Sequence, residues 1–168
     1  TGISRFSDIA ICCRYRRWTK NGFDNNAHSI VVSPLFAEQV RVAAEQLSAE
    51  AVALHFQQLV PCEPSEGISC AEDFVRHFGK RAFRRPLGDG DVGRYLTFFV
   101  EAAMDEGFQG GVRWTIAAML QSSHFLYRSE LGKQTDEGVF ELSGWELATQ
   151  LSYLVWGTMP DDLLFAAA

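Results

Sequence analysis

Ser69-Cys70-Ala71-Glu72-Asp73-Phe74-Val75-Arg76-His77-Phe78-Gly79-Lys80-Arg81-Ala82-Phe83-Arg84-Arg85-Pro86 is the stretch on which the fold turns. Phe74, Val75, Phe78, Ala82 and Phe83 recur at helical spacing and define an apolar face. Asp73, His77, Lys80, Arg81 and Arg84 occupy the other face. Ser69 and Glu72 read as a capping box that opens the helix. Pro86 closes it near Arg85, because a proline drives the residue before it out of helical geometry.

The same grammar extends in both directions. Upstream, Ser33-Pro34 supplies an N-cap and a first-turn proline. Phe36, Val40, Ala43, Ala44, Leu47, Ala51 and Leu54 then keep helical spacing to about Leu59. Val60 to Gly67 is dense in Pro and Gly and reads as a loop. Downstream, Asp89 or Asp91 starts a helix whose stripe is Val92, Tyr95, Leu96, Phe99, Val100 and Ala103, and Gly107 stops it. From about Gly111 to Leu126 the residues are apolar nearly all round (Val112, Trp114, Ile116, Ala117, Ala118, Met119, Leu120), which predicts a central, buried helix.

Lys133 to Gly138 reads as a polar turn and Val139 to Leu142 as a short extended stretch. Ser143 and Glu146 form a second capping box. After it, Leu147, Ala148, Leu151, Leu154 and Val155 make one face, with Trp145, Ser152 and Trp156 beside it. Thr158 as N-cap, Pro160, Asp161 and Asp162 then open a last helix. No phosphate-binding glycine loop and no strand–helix alternation interrupts this pattern. The expectation is an all-α chain, an irregular bundle of about five helices plus the start of a sixth. The last helix has a start and no stop, and the chain opens on Thr1, so both ends read as fragment ends.

Composition narrows the function classes. The 168 residues fit one domain or a compact piece of a longer chain. Hydrophobic residues at 47% and charged residues at 21% describe a globular chain. The net charge of −6 argues against nucleic acid as a partner. No apolar run reaches the roughly 18 residues that would span a membrane. Thirteen Phe, four Trp and four Tyr predict an aromatic core. Residues 1–21 are unpatterned. Their Cys12-Cys13 and the basic Arg14, Arg16, Arg17 and Lys20 read as a solvated or disordered segment, ahead of the turn Asn21 to Asn26.

Each chemically suggestive feature meets a structural reading. Cys62 and Cys70 flank the Pro/Gly loop; their spacing suits neither a zinc site nor a CxxC redox pair, and a disulfide stapling the loop to the helix is the favoured reading. A disulfide would imply an oxidising compartment. The chain has no CxxCH, so no c-type haem attaches within it. His28, His55, His77 and His124 form no metal-binding pattern; His77 reads as solvated and His124 as a hydrogen-bonded core histidine. Lys80, Arg81, Arg84 and Arg85 could bind a carboxylate, a phosphate or a haem propionate. The favoured alternative is that they complement a helix terminus and pair with Asp73, Glu72 or the acidic start of the next helix. Asp24, Asn25 and Asn26 read as a turn rather than a calcium site.

Four strings in order carry a family resemblance. They are Gly22-Phe23-Asp24-Asn25-Asn26-Ala27 with Ser33-Pro34, Phe78 to Leu87, Gln121 to Arg128, and Leu147 to Asp162. Together they resemble the planctomycete-type, cytochrome-c-associated domains of unknown function, over residues 22–168. The resemblance implies an exported location, periplasmic or extracellular, and an electron-transfer context. It divides the chain into the end of one helical domain (22–60), a central one (61–132) and the start of a third (139–168). It implies an accessory or scaffold region with no catalysis of its own. The partners would be other domains of the same polypeptide, among them a cytochrome c module that carries haem elsewhere. The alternative is part of an exported oxidoreductase or polysaccharide-active enzyme completed by other domains; there His124, Tyr127, Arg128 and Arg84 are the candidate site residues.

Overall fold

Six helices and one two-stranded hairpin organise the described residues of the computed structural model, 32–128, 130–136 and 138–168, in keeping with the all-α expectation. The basic cluster Arg14 to Lys20, the Cys12-Cys13 pair, the turn Asn21 to Asn26 and His28 lie outside the described residues. The chain divides into two compact units, Thr1–Ala37 and Glu38–Ala168. In the first, Ser33 caps the opening helix as expected, its Oγ accepting from Phe36 N at 3.1 Å.

In chain order the elements are α1 (Pro34–Leu59), a 3-10 turn (Pro64–Glu66), α2 (Ile68–Phe83), α3 (Asp89–Gln121), α4 (Ser123–Leu126), β1 (Lys133–Gln134), β2 (Phe140–Glu141), α5 (Gly144–Val155) and α6 (Asp162–Ala167). The two short strands pair antiparallel, Lys133 opposite Glu141 and Gln134 opposite Phe140, where an extended stretch was expected.

The core lies between α2 and α3. Phe74, Val75, Val112 and Met119 are fully buried, joined by Cys70, Ala71, Phe99 and Ile116. A run of aromatic contacts threads it: Phe78 on Phe74 (5.8 Å), Phe74 on Phe99 (6.3 Å), Phe99 on Phe108 (5.0 Å) and Phe108 on Phe56 of α1 (6.5 Å). This is the aromatic core that the Phe count predicts.

Gly107 shapes α3. The expected stop is real in the backbone, which leaves helical geometry there at φ 70° and ψ −175°. Helix resumes at once, so the two expected helices become two arms of one element, separated by a single glycine. The arms fold toward each other. The Phe99 ring lies so close to Gly111 that a Cβ there would sit 2.8 Å from it. The second arm is the buried helix expected, with Val112, Thr115, Ile116, Ala117 and Met119 all inside. It ends before Leu126, because Ser122 turns extended (φ −67°, ψ 143°) and its Oγ accepts from His124 N to start α4.

Two expectations need correcting, and the apolar face of α5 is found exposed. The Ser69–Glu72 capping box does not form. Instead α2 begins at Ile68 on Gly67, whose φ of 64° only glycine adopts freely, and Ser69 falls inside the first turn. The 3-10 turn closes onto Gly67 N from Pro64 O, moving the start upstream, and Glu72 is taken by Arg76 at 2.8 Å. Thr158 does not cap the last helix; Asp161 does, its Oδ1 accepting from Leu164 N at 2.9 Å, with Pro160 buried ahead of it. The leucine face of α5 is not its buried face. Ala148, Thr149 and Ser152 turn inward, while Leu147, Leu151, Leu154, Val155 and Trp156 are exposed, Leu154 by 82%. Ser152 faces inward because its hydroxyl donates to Thr158 O at 2.9 Å, tethering the chain after α5.

Two covalent or ionic ties fix the ends of this unit. Cys62 and Cys70 are bridged, Cα to Cα 5.5 Å, stapling the loop after α1 to the first turn of α2. At α5 the Ser143–Glu146 box forms as expected. The Glu146 carboxylate also accepts from Leu131 N (2.8 Å) and Gly132 N (3.1 Å), so it binds the hairpin's lead-in to the helix start. Burial raises the Glu146 pKa, but the backbone and hydroxyl of Ser143 and the N–H groups of Gly132 and Leu131 outweigh it, bringing it from 4.5 down to about 2.

Replacing both Cys62 and Cys70 with Ser lowers unfolding free energy by about 2–3 kcal/mol in the loop-entropy picture. Urea denaturation of the double variant measures it, and equal stability would refute the staple. A folded pKa below the unfolded one means that Glu146 stabilises fully above pH 4.5 and loses that contribution as pH falls toward about 2. Urea midpoints collected between pH 6 and 2 should therefore drop less steeply for Glu146→Gln than for the parent.

Candidate functional site

α2 stops at Phe83, and the next residue, Arg84, is left-handed at φ 57° and ψ 24°. That conformation is usual for glycine and costs an arginine of the order of 1 kcal/mol. The return is a direction for the side chain. The guanidinium of Arg84, only 7% exposed, reaches the carbonyls of α4. Nη2 donates to His124 O at 2.6 Å and Tyr127 O at 2.9 Å, and Nη1 to Phe125 O at 3.3 Å and Ala82 O at 3.2 Å. A one-turn helix leaves its carbonyls without intrahelical partners, and its C-terminal end is the negative one. Arg84 answers both with one planar cation. Burial pushes its pKa down; the nearby Tyr153 works against that effect and Arg128 adds to it.

The four candidates gather here, but in unequal roles. Arg84 is held by the main chain of His124 and Tyr127, not by their side chains. The His124 ring is half-buried against Phe83, ring centres 5.3 Å apart. Arg128 is exposed, and its guanidinium stacks 4.7 Å above the Tyr153 ring of α5. The concave surface at the hairpin (Thr135, Asp136, Val139, Phe140, Glu141) is lined by none of them.

The other basic residues at the end of α2 have distinct partners. Lys80 Nζ sits 5.1 Å from the Trp145 ring and 5.5 Å from the Phe165 ring, a cation over two rings that pack on each other at 5.7 Å. Arg81 pairs with Asp162 of α6 at 3.2 Å, and Arg85 with Asp91 in the first turn of α3 at 3.5 Å. The expected pairing with the acidic start of the next helix thus holds for Arg85. Complementing a helix terminus holds for Arg84, on α4 and, through Ala82 O, on its own helix. His77 is exposed, as expected. Tyr153 was not singled out, and Trp145 only as flanking the apolar face of α5. The available signal was a polar-edged aromatic near each end of that helix.

Among the described residues, no three His, Cys, Asp or Glu side chains come together to hold a metal ion. No described helix is long and apolar enough to cross a membrane.

Three family models match the sequence in order: protein of unknown function DUF1587 at residues 18–53, DUF1595 at residues 70–130 and DUF1592 at residues 142–168. The first begins slightly upstream of the resemblance read at residue 22. No curated protein and no solved structure matches the chain.

If Arg84 serves chiefly to satisfy α4, Arg84→Met should cost about 2–4 kcal/mol, because several buried carbonyls lose their donor. Arg84→Lys, charged but unable to fork, should fall between Met and the parent. A chemical denaturation series reads both, and a Met variant within 1 kcal/mol of the parent would contradict this role.

Proposed function

Because the chain belongs to the planctomycete-type, cytochrome-c-associated domains of unknown function, we propose that it is a helical accessory region of an exported protein, one that docks or positions a cytochrome c module. The observation that carries this reading is how the chemically able side chains are employed. Arg84 is spent on four backbone carbonyls, Lys80 on two aromatic rings, and Arg81 and Arg85 on carboxylates. An enzyme keeps such groups facing a substrate cavity; here they fasten helices. The exposed leucine face of α5 favours a docking role for the same reason, since exposed contiguous apolar surface marks association.

Export is supported by the Cys62–Cys70 bridge, which persists where the medium is oxidising. The haem belongs to the module, in keeping with the absence of CxxCH in this sequence. The whole polypeptide that carries this region, produced with c-type haem maturation, should show a reducible Soret band, and its coding sequence a CxxCH motif. Absence of haem from that polypeptide and from every protein that co-purifies with it would overturn the electron-transfer context.

A further inference from the structure

Positive charge is concentrated where α4 gives way to the segment leading to α5. Arg84 is buried and donates to Tyr127 O at 2.9 Å, and the next residue, Arg128, lies on the surface. Arg128 lies over the Tyr153 ring of α5, and Arg84 is held by the main chain of Tyr127 beside it. Among the described residues neither guanidinium has a carboxylate within ion-pair distance, in a chain whose net charge is −6. Every other arginine of the described residues has one.

The geometry leaves donors to spare. Arg84 commits Nη1 and Nη2 to main-chain carbonyls, so it contributes charge rather than new bonds. Arg128 is the reverse case. Its guanidinium carbon lies over the Tyr153 ring, 4.7 Å from the ring centre, and among the described residues its N–H groups make no hydrogen bond. A planar fork without a partner, with a second positive charge nearby, matches the two oxygens of a carboxylate or phosphate.

We infer that Arg128 and Tyr153, with the buried charge of Arg84 beside them, form a receptor for a small oxyanion, a carboxylate or a phosphate. The ligand would supply the negative charge missing from the pair. It would also bridge the segment matched to DUF1595, which carries Arg84 and Arg128, and the segment matched to DUF1592, which carries Tyr153. Binding would therefore tighten their joint. The inference is independent of export and of haem.

Thermal unfolding of the intact chain tests it, with chloride replaced by phosphate or by acetate at constant ionic strength. Tm should rise saturably with at least one of the two, by about 3–5 °C at ten times Kd. The larger rise identifies the ligand class. Arg128→Gln, a surface change, should keep its Tm in chloride and lose the rise. Arg128→Lys should keep only part of it. A parent protein that responds to neither anion beyond chloride, or an R128Q variant that responds as the parent does, would overturn the proposal. Should R128Q fail to fold, phosphate and acetate titrations of the labelled parent, followed at the Arg128 and Tyr153 side-chain resonances, decide the matter. Selective shifts with either anion support the site, and none with both refutes it.

Discussion

A one-turn helix is a poor structure on its own, because it makes more orphan carbonyls than hydrogen bonds. α4 exists in this chain because Arg84 sits at its end. The condition for that is severe: α2 must stop one residue earlier, and an arginine must take a left-handed backbone. Pro86 enforces the first, and the carbonyls of His124, Phe125 and Tyr127 offset the second. With Arg84 in place, Phe83 meets the His124 ring, and Arg128 is delivered to the Tyr153 ring of α5. Arg84 thereby fixes where the chain leaves the central helices.

The basic end of α2 is in effect a seat for the last two helices. Lys80 lies over the Trp145 and Phe165 rings, and Arg81 reaches Asp162. None of these contacts is strong alone; an exposed ion pair contributes less than about 1 kcal/mol and a cation on an aromatic face about as much. They act in concert because all of them spring from one helix terminus. Charged side chains thereby achieve what the leucines of α5 do not, since those leucines face outward.

Local signals were legible and distant ones were not. The Ser143–Glu146 box and the break at Gly107 are properties of a few adjacent residues, and both are found in the structure. The Ser69–Glu72 box looked the same on paper and failed, because the Pro64–Gly67 turn, tied by the disulfide, set the helix start upstream. The apolar stripe of α5 is a property of adjacent residues, but which side of the helix is buried is not. Ser152, bonded to Thr158 O, fixes the opposite rotation. The site was legible as a set of residues but not as an arrangement. Arg84 and its acceptors are forty positions and more apart, and the choice of main chain over side chain as partner has no signature in residue types.

The bend at Gly107 also orders events in time. It brings Phe99 against Gly111, and Phe108 against Phe99, through short loops of chain. Closing such loops costs little entropy, so this corner of the core can assemble early and fast. The cage around Arg84 joins residues 40 to 43 apart and has nothing to grip until α2 and α4 are both formed. The glycine hinge thus makes the centre of the unit a rapid nucleus, and the arginine latch the step that completes it.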